Sequence, residues 1–371
     1  MKRLLPGSWK KNKEYPMVNK LHFLLVTLFL IAWNLNAQNM PKISGEINTR
    51  ASVRLDSSQQ VWSRSTFRLK LDSDLSEKVH AFVNVKMYST KNAGFDWKLN
   101  EAYMDYYSSR CDFRAGMQII NWGTAWMINP TNNINPYDLS EEVTLIPEDR
   151  LGVTAFQLKY YPVNNLIFRG VYIPYFIPAL EFPDVPLPEK NLKNSEYALK
   201  LSTQSIMGFD LSASYFKGKE DIPRTNGCYR DVQIYGADFI GSIGEVALWA
   251  EGGYSVPDTG KDSYEITAGG EYTFGDDLYF MMQYYHINSG LTQEYYLMSV
   301  LRYPILDLHT LQLGFACEPE KKIFVFYPEI TLFLDDALSI ALSCIYINGD
   351  AEGTFMSFIR KRIFIKLEYF F

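Results

Sequence analysis

From Ile43 onward apolar and polar residues alternate with period two, in segments of about ten residues. In the first, Ile43, Gly45, Ile47, Thr49, Ala51, Val53 and Leu55 alternate with Ser44, Glu46, Asn48, Arg50, Ser52 and Arg54. Phe67, Leu69 and Leu71 likewise oppose Arg64, Thr66, Arg68 and Lys70, and Phe113, Ala115, Met117 and Ile119 oppose Arg114, Gly116 and Gln118. Period two puts alternate side chains on opposite faces of a strand, whereas a helix needs a 3.6-residue stripe. No stretch after residue 40 offers an amphipathic helix. Eighteen strand segments are expected: 43–55, 61–72, 78–88, 97–107, 111–120, 151–161, 165–173, 195–203, 206–217, 229–241, 244–255, 262–274, 277–289, 293–303, 308–318, 322–334, 337–347 and 355–371.

The connections alternate too. Those after even-numbered segments are short (Ser108–Arg110, Pro162–Asn165, Gly275-Asp276, Asp335-Asp336), while several after odd-numbered ones are long, notably Asn121–Arg150, Pro174–Asn194 and Gly218–Cys228. Segments long enough to cross a bilayer at a tilt, with tight turns at one end and long loops at the other, predict an all-β chain. The expected form is a transmembrane antiparallel β-barrel with both termini on the short-turn side. The count falls to sixteen if the weak segments 195–203 and 308–318 are not strands. A large secreted β-sandwich or β-helix would also alternate. It would not collect aromatics at segment ends as Tyr106-Tyr107, Tyr160-Tyr161, Tyr284-Tyr285 and Tyr295-Tyr296 do here, in a chain that is 15% aromatic. A polytopic helical membrane protein is excluded, since only one apolar run approaches the length of a span.

That run, Leu21–Trp33, follows a basic leader (Lys2, Arg3, Lys10, Lys11, Lys13, Lys20) and precedes Leu35-Asn36-Ala37, a small-residue cleavage site. Residues 1–37 therefore read as a signal peptide, with Met17 an alternative start and a single uncleaved anchor helix the competing reading. Residues 38–371 form the barrel. Six of the 36 basic and one of the 42 acidic residues lie in the leader, which leaves 30 against 41 and a net charge of −11. An exported acidic chain is not expected to bind nucleic acid. No Cys follows the run, so lipoprotein processing is not expected.

The segment Gly116-Met117-Gln118-Ile119-Ile120-Asn121-Trp122-Gly123, followed by Asn129-Pro130 and Asn135-Pro136-Tyr137-Asp138, resembles a motif of Gram-negative outer-membrane porin-like families. In these, a strand ending G-x-Q runs into a W-G turn and an N-P-rich loop. The resemblance implies a channel in the outer membrane and assigns no substrate. The final strand ends on Phe371, with Ile363, Ile365, Leu367 and Tyr369 on its face. A terminal Phe of this kind resembles the signal read by the barrel-assembly machinery, which the resemblance makes a partner beside outer-membrane lipid.

Asn121–Arg150 is too long for an idle connection, and Trp122, Trp126, Ile128, Ile134, Leu139, Val143, Leu145 and Ile146 require burial. Either the loop folds into the barrel mouth and narrows it or it packs over the rim. As a constriction it would present Trp122, Gly123, Asn129, Pro130, Asn135, Asp138, Glu141 and Glu142. The lumen-facing residues expected from the alternation are Arg50, Arg54, Arg64, Arg68, Lys70, Lys86, Arg114, Arg360, Arg362 and Lys366, a basic wall across the seam of first and last strands. Asp238, Glu251, Glu265, Glu271 and Glu329 stand opposite. These charges either line a pore and set its selectivity or pair and fill it. Catalysis is not expected: His80, His286 and His309 lie in no triad or metal spacing, and Cys111, Cys228, Cys317 and Cys344 form no C-x-x-C. Neither a cofactor nor a metal is implied. The expected function is passive diffusion of small solutes through a loop-constricted, charge-lined channel. The alternative is a structural or adhesive barrel, a surface antigen acting through its loops. A homo-oligomer is compatible with either.

Overall fold

The computed structural model describes residues 41–55, 60–90, 94–138, 150–179, 185–224, 227–275, 277–306, 308–351, 354, 356 and 359–371. Among these, eighteen strands form one sheet. They are β1 (Lys42–Arg54), β2 (Val61–Ser76), β3 (Val79–Thr90), β4 (Gly94–Tyr107), β5 (Cys111–Gln118), β6 (Val153–Val163), β7 (Leu166–Ile173), β8 (Glu196–Ile206) and β9 (Phe209–Lys219). They continue with β10 (Asp231–Ile243), β11 (Val246–Pro257), β12 (Ser263–Phe274), β13 (Leu278–Asn288), β14 (Gln293–Ile305), β15 (His309–Glu318), β16 (Ile323–Asp335), β17 (Leu338–Asn348) and β18 (Arg362–Phe370). Each strand pairs antiparallel with its chain neighbours, and β1 pairs with β18 from Glu46↔Phe370 to Arg54↔Arg362. That last pairing closes the sheet and abolishes its edges. The segments at 195–203 and 308–318 are β8 and β15, so sixteen strands are ruled out.

Burial runs opposite to that of a soluble sheet. On β1 and β2, Ile43, Ile47, Val53 and Val61 are exposed while Ser52, Arg64 and Thr66 are buried. The apolar face therefore points outward and the polar one inward. A row of outward tyrosines runs near the long-loop end: Tyr197 and Tyr215 rings lie 6.2 Å apart, Tyr215 and Tyr235 5.2 Å apart, and Tyr254 is in register with Tyr235 and Tyr264. Phe209 packs on Phe239 near the other end, and Leu199, Leu211, Ile266 and Met282 are exposed between the two rows. On β12, Tyr264 and Phe274 are separated by about 33 Å of strand, or about 25 Å along the barrel axis at a tilt near 40°. That is the height of the apolar band of a membrane barrel. The short turns are built from positive-φ residues, as at Met207 (φ 53°) and Gly208 (φ 88°), the conformation of a two-residue hairpin turn that matches strand twist.

Two features depart from the sequence expectation. The last strand starts at Arg362 rather than 355, and Arg360 lies before it. Met356 and Ile359 instead join a buried cluster with Ile128, Tyr285, Tyr296, Val325, Ile345 and Phe364. Carrying the alternation of this strand back would put Ile359 on the outer face with Ile363, away from this cluster. The inner face is also less polar than period two implied: Val153, Ala155, Val171, Ile173, Ala198, Phe216 and Val232 point inward on β6–β10 and pack with Ile120, Trp122 and Ile134 of the long loop. All four cysteines are free.

Candidate functional site: the inward loop and the cavity beside it

The chain between β5 and β6 leaves the wall at a staple made by one buried side chain. Asn135 Oδ1 accepts from Ile120 N at 2.7 Å, and its Nδ2 donates to Gln118 O at 3.0 Å and Leu151 O at 2.7 Å. One amide thus ties both ends of the loop to the strands that flank it. Gln118, fully buried, donates to Ala155 O at 2.9 Å and accepts from Gln157 at 3.1 Å. The same Gln and Asn stand in the G-x-Q…N-P stretch, which gives those positions a concrete structural task.

Beyond the staple the loop lies against the inner face of β8 and β10–β13. Glu251 of β11, 2% exposed, is the main anchor. Its Oε2 accepts from Thr124 N at 2.8 Å and Ala125 N at 3.1 Å, and its Oε1 from Thr131 N at 2.7 Å and Thr131 Oγ1 at 2.8 Å. Asp238, in register with Glu251 on β10, is held separately by Lys200 Nζ at 2.8 Å and by Ser212 Oγ. Lys200 also donates to Trp122 O at 2.5 Å. Gln283 accepts from Met127 N at 3.2 Å and donates to Ile128 O at 3.3 Å. Room for this backbone comes from missing side chains: a Cβ on Gly253 would sit 2.9 Å from Pro130 O, and one on Gly123 2.7 Å from both Glu251 oxygens.

The two acids thus serve different purposes. Asp238 is charge-paired, while Glu251 takes three of its four hydrogen bonds from backbone N–H groups that would otherwise lack acceptors. Glu265 accepts from Tyr285 Oη at 2.7 Å. Asp138 binds Lys98 Nζ at 2.7 Å. Glu141 and Glu142 lie outside the described residues, as do Leu139, Val143, Leu145 and Ile146. Trp122, Ile128 and Ile134 are buried, whereas Trp126 is 53% exposed and faces the cavity described next.

Between the loop and the opposite wall lies a cavity of about 650 Å³. The loop side supplies Asn121, Gly123, Ala125, Trp126, Met127, Asn129, Asn132, Tyr137 and Arg150. The wall side supplies Arg50 of β1, Val300 and Arg302 of β14, Gln312 of β15, Tyr327 and Glu329 of β16, Ser343 of β17, and Phe364 and Lys366 of β18. Among the described residues of the lining, Arg50, Arg150, Arg302 and Lys366 outnumber the one carboxylate, Glu329. Arg150 donates to Asn132 O at 3.2 Å and Asn135 O at 2.7 Å and lies 3.5 Å over the Tyr137 ring. Removal from water draws this guanidinium below its usual range and pushes the Tyr137 phenol up.

Arg64, Arg68 and Lys86 gather with Arg50 and Lys366 at a smaller cavity on the β18–β1–β2–β3 wall. Arg54 and Arg362 face each other across the seam near the long-loop end. Lys70 stands in register with Ser44 and Asn84. Arg114 lies away from both cavities: it donates to Asp105 at 2.7 Å and stacks 3.8 Å over Tyr103. His80 is bracketed by Asp72 at 3.1 Å and Asp105 at 3.3 Å. Lys200, Gln283, Thr131 and Arg302 were not singled out by the sequence, where each is one polar residue in an alternating strand or loop; only the register shows what it meets.

A model of a family described as a protein of unknown function (DUF1302) matches residues 36–175. No curated protein matches. Solved structures do. OccK2 (OpdF) of Pseudomonas aeruginosa, crystallised in complex with glucuronate, is 11% identical over 89% of this chain and 97% of its own, with a TM-score of 0.63. A BenF-like porin from Pseudomonas fluorescens Pf-5 is 11% identical over 90% and 99%, with a TM-score of 0.62. OccK5 (OpdH) of P. aeruginosa is 12% identical over 90% and 99%, with a TM-score of 0.61. At these identities the likeness is one of fold, a closed antiparallel barrel, which this chain builds from eighteen strands.

Proposed function

We propose that the chain is an outer-membrane channel through which small solutes diffuse passively. In this reading residues 121–150 form the constriction and the cavity beside them is the passage. The observation that carries it is the space left open: the loop is hydrogen-bonded to β8, β11 and β13 and reaches β14–β18 through Ile128, yet about 650 Å³ stays free between it and Arg50, Arg302, Glu329 and Lys366 of the wall. The exposed apolar band supports insertion in a bilayer, and the basic leader and apolar run within 1–37, read as a signal peptide, support export to the outer membrane.

Among the described residues, four cationic side chains and one carboxylate line the passage, a balance that favours small anions over cations. The acidic residues expected on the far wall contribute less to this balance, since Asp238 is paired and Glu251 is covered by the loop. Phe371 is tied into the closing seam of the barrel. Its backbone exchanges hydrogen bonds with Gly45, and its ring stacks on Phe67 at 5.8 Å.

The constriction is tested by deleting residues 125–145 and following solute entry into liposomes by swelling. Faster entry with a relaxed size limit is expected. Unchanged rates in a correctly folded deletion variant would remove the loop from the passage.

A further inference from the structure

Of the cations that line the main cavity, Arg302 is held differently from the rest. Lys366 is paired with Glu368 at 3.0 Å, Arg150 is bonded to two loop carbonyls, and Arg50 has interaction partners of its own. Among the described residues, Arg302 is bonded to a neutral group alone. Its Nε and Nη2 donate to the same atom, Gln312 Oε1, at 3.2 and 3.0 Å, and its guanidinium carbon lies 5.4 Å from the centre of the Tyr279 ring.

Register puts a neutral side chain on each side of it. Tyr279, Arg302, Gln312 and Glu329 stand directly opposite one another across β13, β14, β15 and β16. Glu329 is therefore two strands away, about 10 Å along the sheet, and accepts instead from Tyr327 Oη at 2.7 Å. On the other side, Tyr279 donates its hydroxyl to Glu271. Two acids flank the arginine, and neither is bonded to it. The guanidinium edge that would take a carboxylate bidentately is closed on an amide oxygen, which fixes the side chain without cancelling its charge. A separation of about 10 Å is one Debye length at 0.1 M salt, so Glu329 offsets that charge weakly. Arg302 also stands where loop and wall converge. Val300, two residues along the same face of β14, and Tyr279 pack with Ala125 and Met127 of the inward loop.

We infer that Arg302 sets the charge preference of the passage and that Gln312 is its positioning residue. The inference rests on the channel reading and deepens it. The preference comes from one arginine kept clear of both acids by neutral neighbours, rather than from the sum of the cations around the cavity. Gln312 matters because it occupies the place where a carboxylate would form an ion pair and remove the charge from the passage.

The test is the zero-current potential of the reconstituted full-length barrel in a KCl gradient, read as a chloride-to-potassium permeability ratio. Arg302→Gln should lower the ratio by about threefold or more, and Lys366→Gln, whose cation is already paired, by less than about 1.5-fold. Gln312→Leu should lower it about twofold alone and change it little in the Arg302→Gln background, because a positioning residue acts through the residue it holds. Gln312→Glu, which sets a carboxylate on the guanidinium, should lower it as far as Arg302→Gln and guards against that variant failing to fold. Entry of a neutral sugar into liposomes should stay close to the wild-type rate throughout. An unchanged ratio in Arg302→Gln channels would overturn the inference. So would an equal effect of Lys366→Gln, a Gln312→Leu effect that simply adds to that of Arg302→Gln, or a loss of sugar entry as large as the shift in ratio. A folded barrel that never conducts would remove the channel reading and this inference with it; a conducting barrel with an unchanged ratio would remove the inference alone.

Discussion

Replacing Glu251 with Gln should loosen the inward loop without dismantling the barrel. The carboxylate accepts four hydrogen bonds, two at each oxygen, three of them from backbone N–H groups. Glutamine keeps one oxygen and turns an NH2 group toward the donors at the other. Two bonds are then lost and the remaining two lose their charge. Hydrogen bonds to a charged group contribute about 1.5–3 kcal/mol each, so the loop should be destabilised by about 3 kcal/mol at the low end. At ~1.4 kcal/mol per decade this raises the displaced population roughly a hundredfold. The assay is single-channel recording in a planar bilayer, with heat-modifiable gel migration to verify the barrel. Frequent transitions to larger sub-states are expected, together with faster protease cleavage between Asn121 and Asp138. A folded Glu251→Gln barrel with wild-type noise, conductance and protease resistance would refute the anchoring role.

Lys200→Met should cost about 3–5 kcal/mol of stability, because it leaves the Asp238 carboxylate buried without its cation; a urea titration should show most of the loss recovered in the Lys200→Met/Asp238→Asn double variant. Gly45→Ala should lower the temperature at which the folded gel band disappears, since a Cβ there meets Arg68 O and, at 2.6 Å, the Phe371 ring. Gly252→Ala, whose Cβ would find its nearest neighbour at 3.7 Å, should change it little. Asp221, on the segment between β9 and β10, is pushed up to about 7 by removal from water, against the pull of Arg150. It is mostly neutral at pH 5.5 and ionised at pH 8.5, so reversal potentials should show stronger anion preference at the lower pH. Asp221→Asn should flatten that difference.

Much of the fold was legible because the side-chain period and the loop lengths are independent signals of one architecture. Ile43–Leu55 reads as a strand with one wet face, and Ser108–Arg110 as a turn too short for anything but a hairpin. The start of β18 was not legible. Ile359 continues the Ile363, Ile365 and Leu367 face of a strand, and only the cluster with Ile128, Tyr285 and Phe364 shows what it and Met356 pack against. The site was legible in its materials rather than its arrangement. Arg50, Arg64, Arg68, Lys86 and Lys366 fall on predicted inner faces, and register brings them together. Glu251 and Asp238 looked equivalent, yet one anchors a loop and the other a lysine. That difference depends on residues over a hundred positions away in sequence for Glu251, such as Thr131, and no local pattern encodes it.

The central claim, an open passage between loop and wall, is tested most directly by reconstituting the purified wild-type barrel in a planar bilayer. Stepwise conductance increments are expected, with a reversal potential in a salt gradient that favours anions. A barrel that shows folded migration on a gel and inserts into the bilayer, yet yields no steps, would contradict it.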